Sequence, residues 1–241
     1  MARVALISGG TRGIGAAVSL AFLQAGYKVV PTYVADRAAA EAFRNKTGLT
    51  PYRWNVGDFE ACSEGIKEVE AAVGPVDVLV NNAGIVRDAA LHKMDREKWQ
   101  EVIDADLGGA FNMCRVVIEG MRARKFGRIV NVSSINGQKG QYGQTNYSAA
   151  KAGLLGFTRA LALESAHMGI TVNAICPGYI DTDMLEIVSD DVLTKDILSK
   201  IPVGRLGTAA DIARGVLFLG SDDASFITGS TLSINGGQWM G

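Results

Sequence analysis

Short apolar runs of strand length alternate with longer segments of helical period along this chain of 241 residues. The runs that predict strands are residues 3–8, 28–33, 50–56, 76–84, 127–134, 170–178 and 230–236. Helical periods lie between them, at residues 13–26, 36–46, 58–73, 95–124, 145–168 and 208–221. Because such apolar strands need cover on both faces, the alternation predicts a parallel sheet with helices on each side. We therefore expect one doubly wound α/β domain over residues 1–241, with a mostly parallel sheet of seven strands.

One segment, residues 179–207, follows neither period. It begins just after Pro177 and contains the stretch YIDTDMLEIVSDDV. Long irregular segments in compact domains commonly cover binding sites. We expect this segment to form a substrate flap.

Composition narrows the class of protein. Hydrophobic residues make up 48% and charged residues 20%, which allows a large core and argues against disorder. The net charge of -1 excludes a basic nucleic-acid binder, and no apolar run reaches the ~18 residues of a membrane span. The amino terminus enters a strand pattern directly, without the longer apolar segment of a signal peptide. These features predict a cytoplasmic protein without a nucleic-acid or membrane partner.

Cysteines and histidines are few and scattered. Three cysteines (Cys62, Cys114 and Cys176) form no CxxC pair, and His92 and His167 are the only histidines. This usage predicts neither a disulfide framework nor a metal site, and it suits a reducing compartment.

A glycine-rich loop, SGGTRGIG at residues 8–15, joins the first predicted strand to the first helix. Gly9, Gly13 and Gly15 permit a tight turn, a close approach of the backbone to a pyrophosphate, and close helix–strand packing. The helix start then offers free N–H groups to the anion. Strand, loop and helix together predict a Rossmann-type dinucleotide site.

The end of the second strand, VVPTYVADR, indicates which dinucleotide is bound. An NAD site usually carries an acidic residue there, but Tyr33 takes that position and Asp36 comes three residues later. Arg12 lies in the glycine loop, and Arg37 follows the strand. Two cations without a well-placed carboxylate favour a 2′-phosphate, hence NADP(H). The alternative for Arg37 is a solvated charge at a helix start.

Tyr147 and Lys151 lie four residues apart in a predicted helix and therefore share one face. A phenol with a pKa of about 10 is a poor proton donor at neutral pH, and a nearby cation lowers that pKa. The pair predicts a general acid. The alternative is a lysine that merely packs beside a half-buried tyrosine.

Five motifs, in this order and spacing, resemble the short-chain dehydrogenase/reductase family over essentially the whole chain: GGTRGIG (9–15), NNAG (81–84), NVSS (131–134), YSAAK (147–151) and PGYIDTDM (177–184). The resemblance implies that Ser134, thirteen residues before Tyr147, binds the substrate carbonyl. It implies that Tyr147 donates the proton, and that Lys151 lowers the pKa of the tyrosine and holds the nicotinamide ribose. The cofactor contacts that loop and resemblance together imply are Gly9, Thr11, Arg12, Gly13, Ile14, Gly15, Tyr33, Arg37, Asn55, Val56, Asn82, Ala83, Gly84, Tyr147, Lys151, Pro177, Gly178 and Ile180.

The stretch NGQKGQYGQTNYSAAKAG is most similar to the members of this family that reduce acetoacetyl-CoA in polyhydroxybutyrate synthesis. That similarity implies a short 3-oxoacyl thioester substrate, with contacts from Asp88, Ser134, Gln141, Tyr142, Gln144, Gly178 and Tyr179. The glutamines of this stretch have a plainer alternative, as solvated loop residues.

Two other functions stay open. The first is reduction of the carrier-protein thioester in fatty acid synthesis, for which a basic cluster near the site would be needed, with Arg122, Arg124, Lys125 and Arg128 as candidates. A solvated helix end also explains that cluster. The second is a non-catalytic NADP-binding subunit.

The family resemblance further implies a homotetramer, and the apolar carboxyl end with Trp239 and Met240 suits burial against another subunit.

One position departs from the family pattern. The family has an asparagine twenty-eight residues before the serine, in the role of holding a water of the proton relay, and here that residue is Asp106. A carboxylate that faces Lys151 would stabilise its ammonium group and change the pH optimum. A carboxylate that turns away would be catalytically silent.

Overall fold

The computed structural model of the chain describes residues 2–182 and 197–241. Within them, seven strands form one parallel sheet in the order β3-β2-β1-β4-β5-β6-β9. These strands are β1 (Val4–Ile7), β2 (Lys28–Tyr33), β3 (Tyr52–Arg53), β4 (Val76–Asn81), β5 (Gly127–Val132), β6 (Ile170–Pro177) and β9 (Thr231–Ile234). Two further short strands, β7 (Ile180–Asp181) and β8 (Gly207–Thr208), pair with each other. The predicted seven-stranded doubly wound sheet is confirmed.

Helices cover both faces of the sheet. They are α1 (Gly13–Gln24), α2 (Arg37–Thr47), α3 (Phe59–Ala72), α4 (Arg96–Ile103), α5 (Gly109–Arg124), α6 (Ile135–Lys139), α7 (Thr145–Ser165) and α8 (Ala209–Leu219). Short 3₁₀ turns lie at Leu91–Lys93, Ala166–Met168, Leu198–Lys200 and Asp222–Ala224. Asp36, Asp58 and Asp95 cap α2, α3 and α4, each accepting a bond from a first-turn amide.

The core divides into two layers because successive residues of a strand point to opposite faces. Leu6 of β1 belongs to one buried cluster and Ile7 to the other. In the same way, Ile129 and Val130 of β5 lie in different clusters. Strands that are apolar at every position are therefore explained by cover on both faces.

Three local features differ from the prediction. The helix expected over 95–124 is two helices, α4 and α5, joined by a π-helical turn at Asp104–Gly108. Hydrophobic periodicity does not reveal this turn, because one additional residue hardly changes the apolar pattern. The strand expected over 50–56 is only two residues long, and the short helix α6 was not expected. In α6 the turn begins where Ser134 caps the amide of Asn136.

The expected flap at 179–207 falls partly on residues 183–196, which lie outside the described residues. Its described ends carry β7 and β8, and Gly207 N donates to Tyr179 O at 2.9 Å.

Among the helices of the described ranges, none combines the length and apolar character needed to cross a bilayer. All three cysteines are buried and free.

Candidate active site

The candidate site lies at the carboxyl edge of the sheet, where the loops after β1, β4, β5 and β6 converge. The strand order reverses between β1 and β4, because β2 extends the sheet on one side of β1 and β4 on the other. Open α/β sheets bind ligands in the crevice at such a switch point.

The glycine loop after β1 forms a cradle that side chains would fill. Gly9 and Gly13 have φ values of 61° and 50°, in the left-handed region. A Cβ on Gly15 would lie 2.1 Å from Gly9 O, so this position accepts glycine alone. Thr11 is buried, Ile14 packs against the core, and the loop leads into the free N–H groups at the start of α1. The geometry fits a pyrophosphate.

The loop after β4 is fastened to this cradle. Asn82 N and Ala83 N donate to Ser8 Oγ at 2.9 and 3.0 Å, and Asn82 Nδ2 donates to Ser8 O and Gly9 O at 3.0 and 3.2 Å. The next residue, Gly84, lies so close to the Asp106 and Lys151 side chains that an added Cβ would be 2.7 Å from Asp106 Oδ2. The NNAG stretch thus joins the two halves of the site.

Three charged residues bear on the choice between NAD and NADP, and they differ in the partners that they have among the described residues. Asp36 caps α2 through Ala39 N at 2.9 Å, so its carboxylate has a structural partner. Arg37 Nε pairs with Glu41 at 3.1 Å on the surface, and Tyr33 is half-buried. Arg12, by contrast, is exposed and forms no ion pair with the described residues.

At the end of β3, Asn55 and Val56 form the other wall of the crevice. Asn55 Oδ1 accepts a bond from Gly57 N at 3.0 Å and keeps the residue in a turn. Val56 is buried, and Asn112 Nδ2 of α5 holds its carbonyl at 2.9 Å. An apolar side chain thus lies next to an amide just beyond β3.

Ser134 and Tyr147 come together at the start of α6 and the first turn of α7. The neighbouring Ser134 hydroxyl lowers the pKa of the Tyr147 phenol. Ser133 Oγ instead donates to Lys151 O at 2.8 Å, in the interior. The geometry therefore supports the choice of Ser134 over Ser133.

Lys151 lies beneath the tyrosine in a fully enclosed position. Its Nζ is 5.5 Å from the centre of the Tyr147 ring and donates to Val132 O at 3.1 Å. It also pairs with Asp106 Oδ2 at 3.1 Å, and only 4% of the lysine side chain and 0% of the aspartate side chain are exposed. Of the two alternatives for Asp106, the structure supports the one in which the carboxylate faces the lysine.

These contacts act on the pKa of the tyrosine in opposite directions. Burial raises the pKa of Tyr147, the Lys151 charge lowers it, and the Asp106 carboxylate raises it again, with a net upward shift. The expected lowering by lysine is therefore present but outweighed. Burial alone lowers the pKa of Lys151, and the negative charges of Asp106 and Tyr147 reverse that and raise it.

The expected substrate residues divide into two groups. Gln144 Nε2 donates to both oxygens of Asp88 at 3.1 and 3.0 Å, which brings these two residues together beside Tyr147. Gln141 is exposed and Tyr142 is 87% exposed, and neither side chain packs on the site. On the other wall, Pro177, Gly178, Tyr179 and Ile180 follow one another from β6 into β7. Tyr179 is half-buried there, and burial raises its pKa.

Comparisons with known proteins agree with this geometry. A family model described as enoyl-(acyl carrier protein) reductase matches residues 9–238. The acetoacetyl-CoA reductases of Shinella zoogloeoides and Rhizobium meliloti are 61% and 60% identical over 240 residues, covering 100% of each chain. The 3-oxoacyl-[acyl-carrier-protein] reductase of Escherichia coli is 42% identical over 240 residues, covering 99% of this chain and 98% of its own.

The chain belongs to the short-chain dehydrogenase/reductase family. The serine, tyrosine and lysine that the family resemblance selects from the sequence lie together at one end of the sheet. The aspartate that departs from the family pattern lies with them.

Asn146 and Asn136 also hold residues of the site in place, and the sequence did not indicate either of them. Asn146, fully buried, donates through Nδ2 to Arg87 O and Lys98 O at 3.0 and 3.1 Å, and its Oδ1 accepts from Tyr147 N at 2.8 Å. Asn136 Nδ2 donates to Gln144 Oε1 at 3.0 Å and so orients that amide. The only signal for Asn146 was a polar residue on a helix face that otherwise turns toward the core.

Proposed function

We propose that this protein catalyses the NADPH-dependent reduction of acetoacetyl-CoA to (R)-3-hydroxybutyryl-CoA in the cytoplasm, supplying polyhydroxybutyrate synthesis. The observation that carries the proposal is the position of Lys151, whose Nζ lies 5.5 Å from the centre of the Tyr147 ring, with Ser134 near enough to lower the pKa of the same tyrosine. Full-length relatives at 60% identity and above that are named acetoacetyl-CoA reductase support the choice of substrate.

The chemistry follows from the two hydroxyls. Ser134 donates a hydrogen bond to the ketone oxygen and fixes its position. Tyr147 transfers its phenolic proton to the same oxygen as negative charge develops there. Lys151 stabilises the tyrosinate that remains. A reduced nicotinamide cofactor, when bound, supplies the hydride.

The residues present fit such a cofactor. The cradle at Gly9, Gly13 and Gly15 offers space and amide groups to a pyrophosphate, and Val56 offers an apolar wall to adenine. Arg12, at the phosphate end, is exposed and forms no ion pair with the described residues. Arg37 is held by Glu41 in an exposed pair, which is typically worth well under 1 kcal/mol, so it remains able to turn to a 2′-phosphate.

We expect kcat/KM to be higher with NADPH than with NADH. Arg12→Gln should lower the NADPH:NADH ratio of kcat/KM by about 10- to 100-fold, since a hydrogen bond to a charged group is worth roughly 1.5–3 kcal/mol. Arg37→Gln serves as the matched variant and separates the contributions of the two arginines. A wild-type kcat/KM with NADH that equals or exceeds that with NADPH would contradict the proposed cofactor.

Substrate contacts are proposed on both sides of Tyr147. On one side, Asp88 and Gln144 present polar groups at the mouth of the crevice, with Gln141 and Tyr142 on the adjoining surface. On the other, Tyr179 offers a half-buried ring to a short acyl chain, and Gly178 lies tightly against Asn235. An added Cβ at Gly178 would be 2.8 Å from Asn235 Cα, so substitution there would displace this wall.

Reduction of a carrier-protein thioester is the second candidate, favoured by the Escherichia coli relative. The basic cluster considered for carrier docking does not serve it. Arg122 and Arg124 end α5 and Arg128 lies near the start of β5, whereas Ser134 follows the other end of that strand. Arg128 is also buried, bonded to Ser221 O and Gly169 O. The idea of a basic patch beside the site is therefore wrong for these residues.

The deciding experiment compares NADPH oxidation with acetoacetyl-CoA and with the acetoacetyl carrier-protein thioester. We expect the higher kcat/KM with the CoA ester. A higher value with the carrier protein would favour the second candidate, and no turnover with either would favour a non-catalytic NADP-binding subunit. The complete serine, tyrosine and lysine set argues against that last function.

We expect the protein to assemble as a homotetramer. Apolar side chains stand exposed on α5 and α7, where Phe111 and Leu163 are 51% and 83% exposed, and at the carboxyl end, where Met240 is 79% exposed. Burial of such surfaces against other subunits would stabilise an assembly. Light scattering at micromolar concentration should give four times the mass of the chain, and a stable monomer would contradict the expectation.

A further inference from the structure

Asp106, in the π-helical turn, contacts α7 through Lys151. Its Oδ2 is 3.1 Å from Lys151 Nζ, and its Oδ1 accepts a hydrogen bond from Ile85 N at 2.8 Å. The aspartate side chain is wholly enclosed, and Gly84 packs so tightly over the pair that an added Cβ would be 3.2 Å from Lys151 Nζ. Solvent screening of this ion pair is therefore weak.

The π-helical turn is what brings the carboxylate there. A turn of this kind carries one more residue than an α-helical turn and often marks a functional position. The turn lies between the well-formed helices α4 and α5, and it directs Asp106 inward while Asp104, in the same turn, is exposed. Asp104 Oδ1 instead accepts a bond from Gln100 Nε2 on the surface at 2.8 Å.

Other ionisable groups around the lysine are few. Tyr147 lies above it on α7, the thiol of Cys176 faces it from β6, and the more distant carboxylate of Asp88 faces Tyr147 from the loop after β4. Among the described residues, Asp106 is the carboxylate that forms an ion pair with Lys151. The positive charge of Lys151 and the negative charge of Asp106 therefore nearly cancel. As a result, the lysine stabilises a negative charge on Tyr147 less than an unpaired lysine would.

We propose that Asp106 is a positioning residue that fixes and neutralises the Lys151 ammonium, so that Tyr147 keeps its proton to higher pH than it would beside an unneutralised lysine. An amide at this place could keep the bond from Ile85 N but would not neutralise the lysine. The carboxylate thus extends the proton-donating form of the site into the alkaline range. It also delays the tyrosinate form that the reverse oxidation needs. This inference rests on the proposed reductase activity for its kinetic test.

The kinetic test is the pH dependence of kcat/KM for acetoacetyl-CoA at saturating NADPH and constant ionic strength. Reduction requires the tyrosine proton, so the basic limb falls where Tyr147 ionises. Asp106→Asn removes the negative charge, favours the tyrosinate, and should move that limb about one pH unit lower. The matched control is Asp104→Asn, which makes the same change in the same turn at an exposed site and should leave the profile unchanged. Superimposable profiles for wild type and Asp106→Asn would overturn the proposal.

A spectroscopic titration tests the proposal without substrate. The ultraviolet difference between wild type and Tyr147→Phe isolates the tyrosinate signal of Tyr147. We expect that signal in the wild type at or above the pH of a free phenol, about 10, and at lower pH in Asp106→Asn. A wild-type tyrosinate signal near neutral pH would overturn the proposal even where Asp106→Asn fails to fold. Because this measurement needs no turnover, a failure of the proposed substrate and a failure of the ion-pair role remain distinguishable.

Discussion

Tyr147→Phe should abolish ketone reduction while the fold and NADPH binding are kept. The substitution removes one hydroxyl, and that hydroxyl is the proton donor that we propose for the reaction. General acid catalysis contributes roughly 100- to 10,000-fold to the rate, so kcat should fall by a factor in that range. Steady-state kinetics with acetoacetyl-CoA measure the loss, and quenching of intrinsic fluorescence by NADPH measures binding.

The matched control is Tyr52→Phe, which makes the same chemical change on the edge strand β3, at a residue outside the proposed catalytic and cofactor-binding sets. Its kcat should equal that of the wild type. If Tyr147→Phe kept more than about a tenth of the wild-type rate, Tyr147 would be a packing residue and the proposed proton donor would be wrong.

Lys151→Met should both stop turnover and destabilise the fold. Methionine fills a similar volume but leaves the enclosed carboxylate of Asp106 without its partner. Removing one member of a buried ion pair typically costs about 3–5 kcal/mol of unfolding free energy. For a chain of this size that corresponds to a Tm roughly 6–20 °C lower by differential scanning calorimetry.

The double variant Lys151→Met/Asp106→Asn separates the two effects. It removes the unpaired charge while an amide oxygen can still accept the bond from Ile85 N, so most of the lost stability should return. Activity should not return, because no cation remains beneath Tyr147. Equal Tm values for the single and double variants would mean that Asp106 and Lys151 are not energetically coupled.

Local signals in the sequence were sufficient for most elements. The strand predicted at 28–33 has those bounds in the structure, and the helix predicted at 13–26 is observed at Gly13–Gln24. Both are set by apolar period and by glycines at turns, which act over a few residues. Tyr147 and Lys151 share a helix face because of their spacing alone.

Side-chain pairing and burial were not readable in the same way. Arg37 and Arg12 looked equivalent as candidate cations, yet Arg37 pairs with Glu41, whereas Arg12 forms no ion pair with the described residues. Arg128 looked like part of an exposed cluster, yet it is buried between β5 and the turn at Asp222–Ala224. Partner choice and burial depend on side-chain packing, which apolar period and motif spacing do not specify.

By itself the sequence determined the parallel doubly wound sheet, the glycine cradle and the shared helix face of Tyr147 and Lys151, because periodicity and spacing specify them, while the family resemblance added Ser134. Only the tertiary structure decided the direction of Asp106. That direction depends on the π-helical turn at Asp104–Gly108, and the close approach of Gly84 holds the carboxylate in place. The sequence contains Asp106 in either case, so it does not say whether the carboxylate faces the interior or the solvent. The packing brings it to within 3.1 Å of Lys151 and thereby determines the charge around Tyr147.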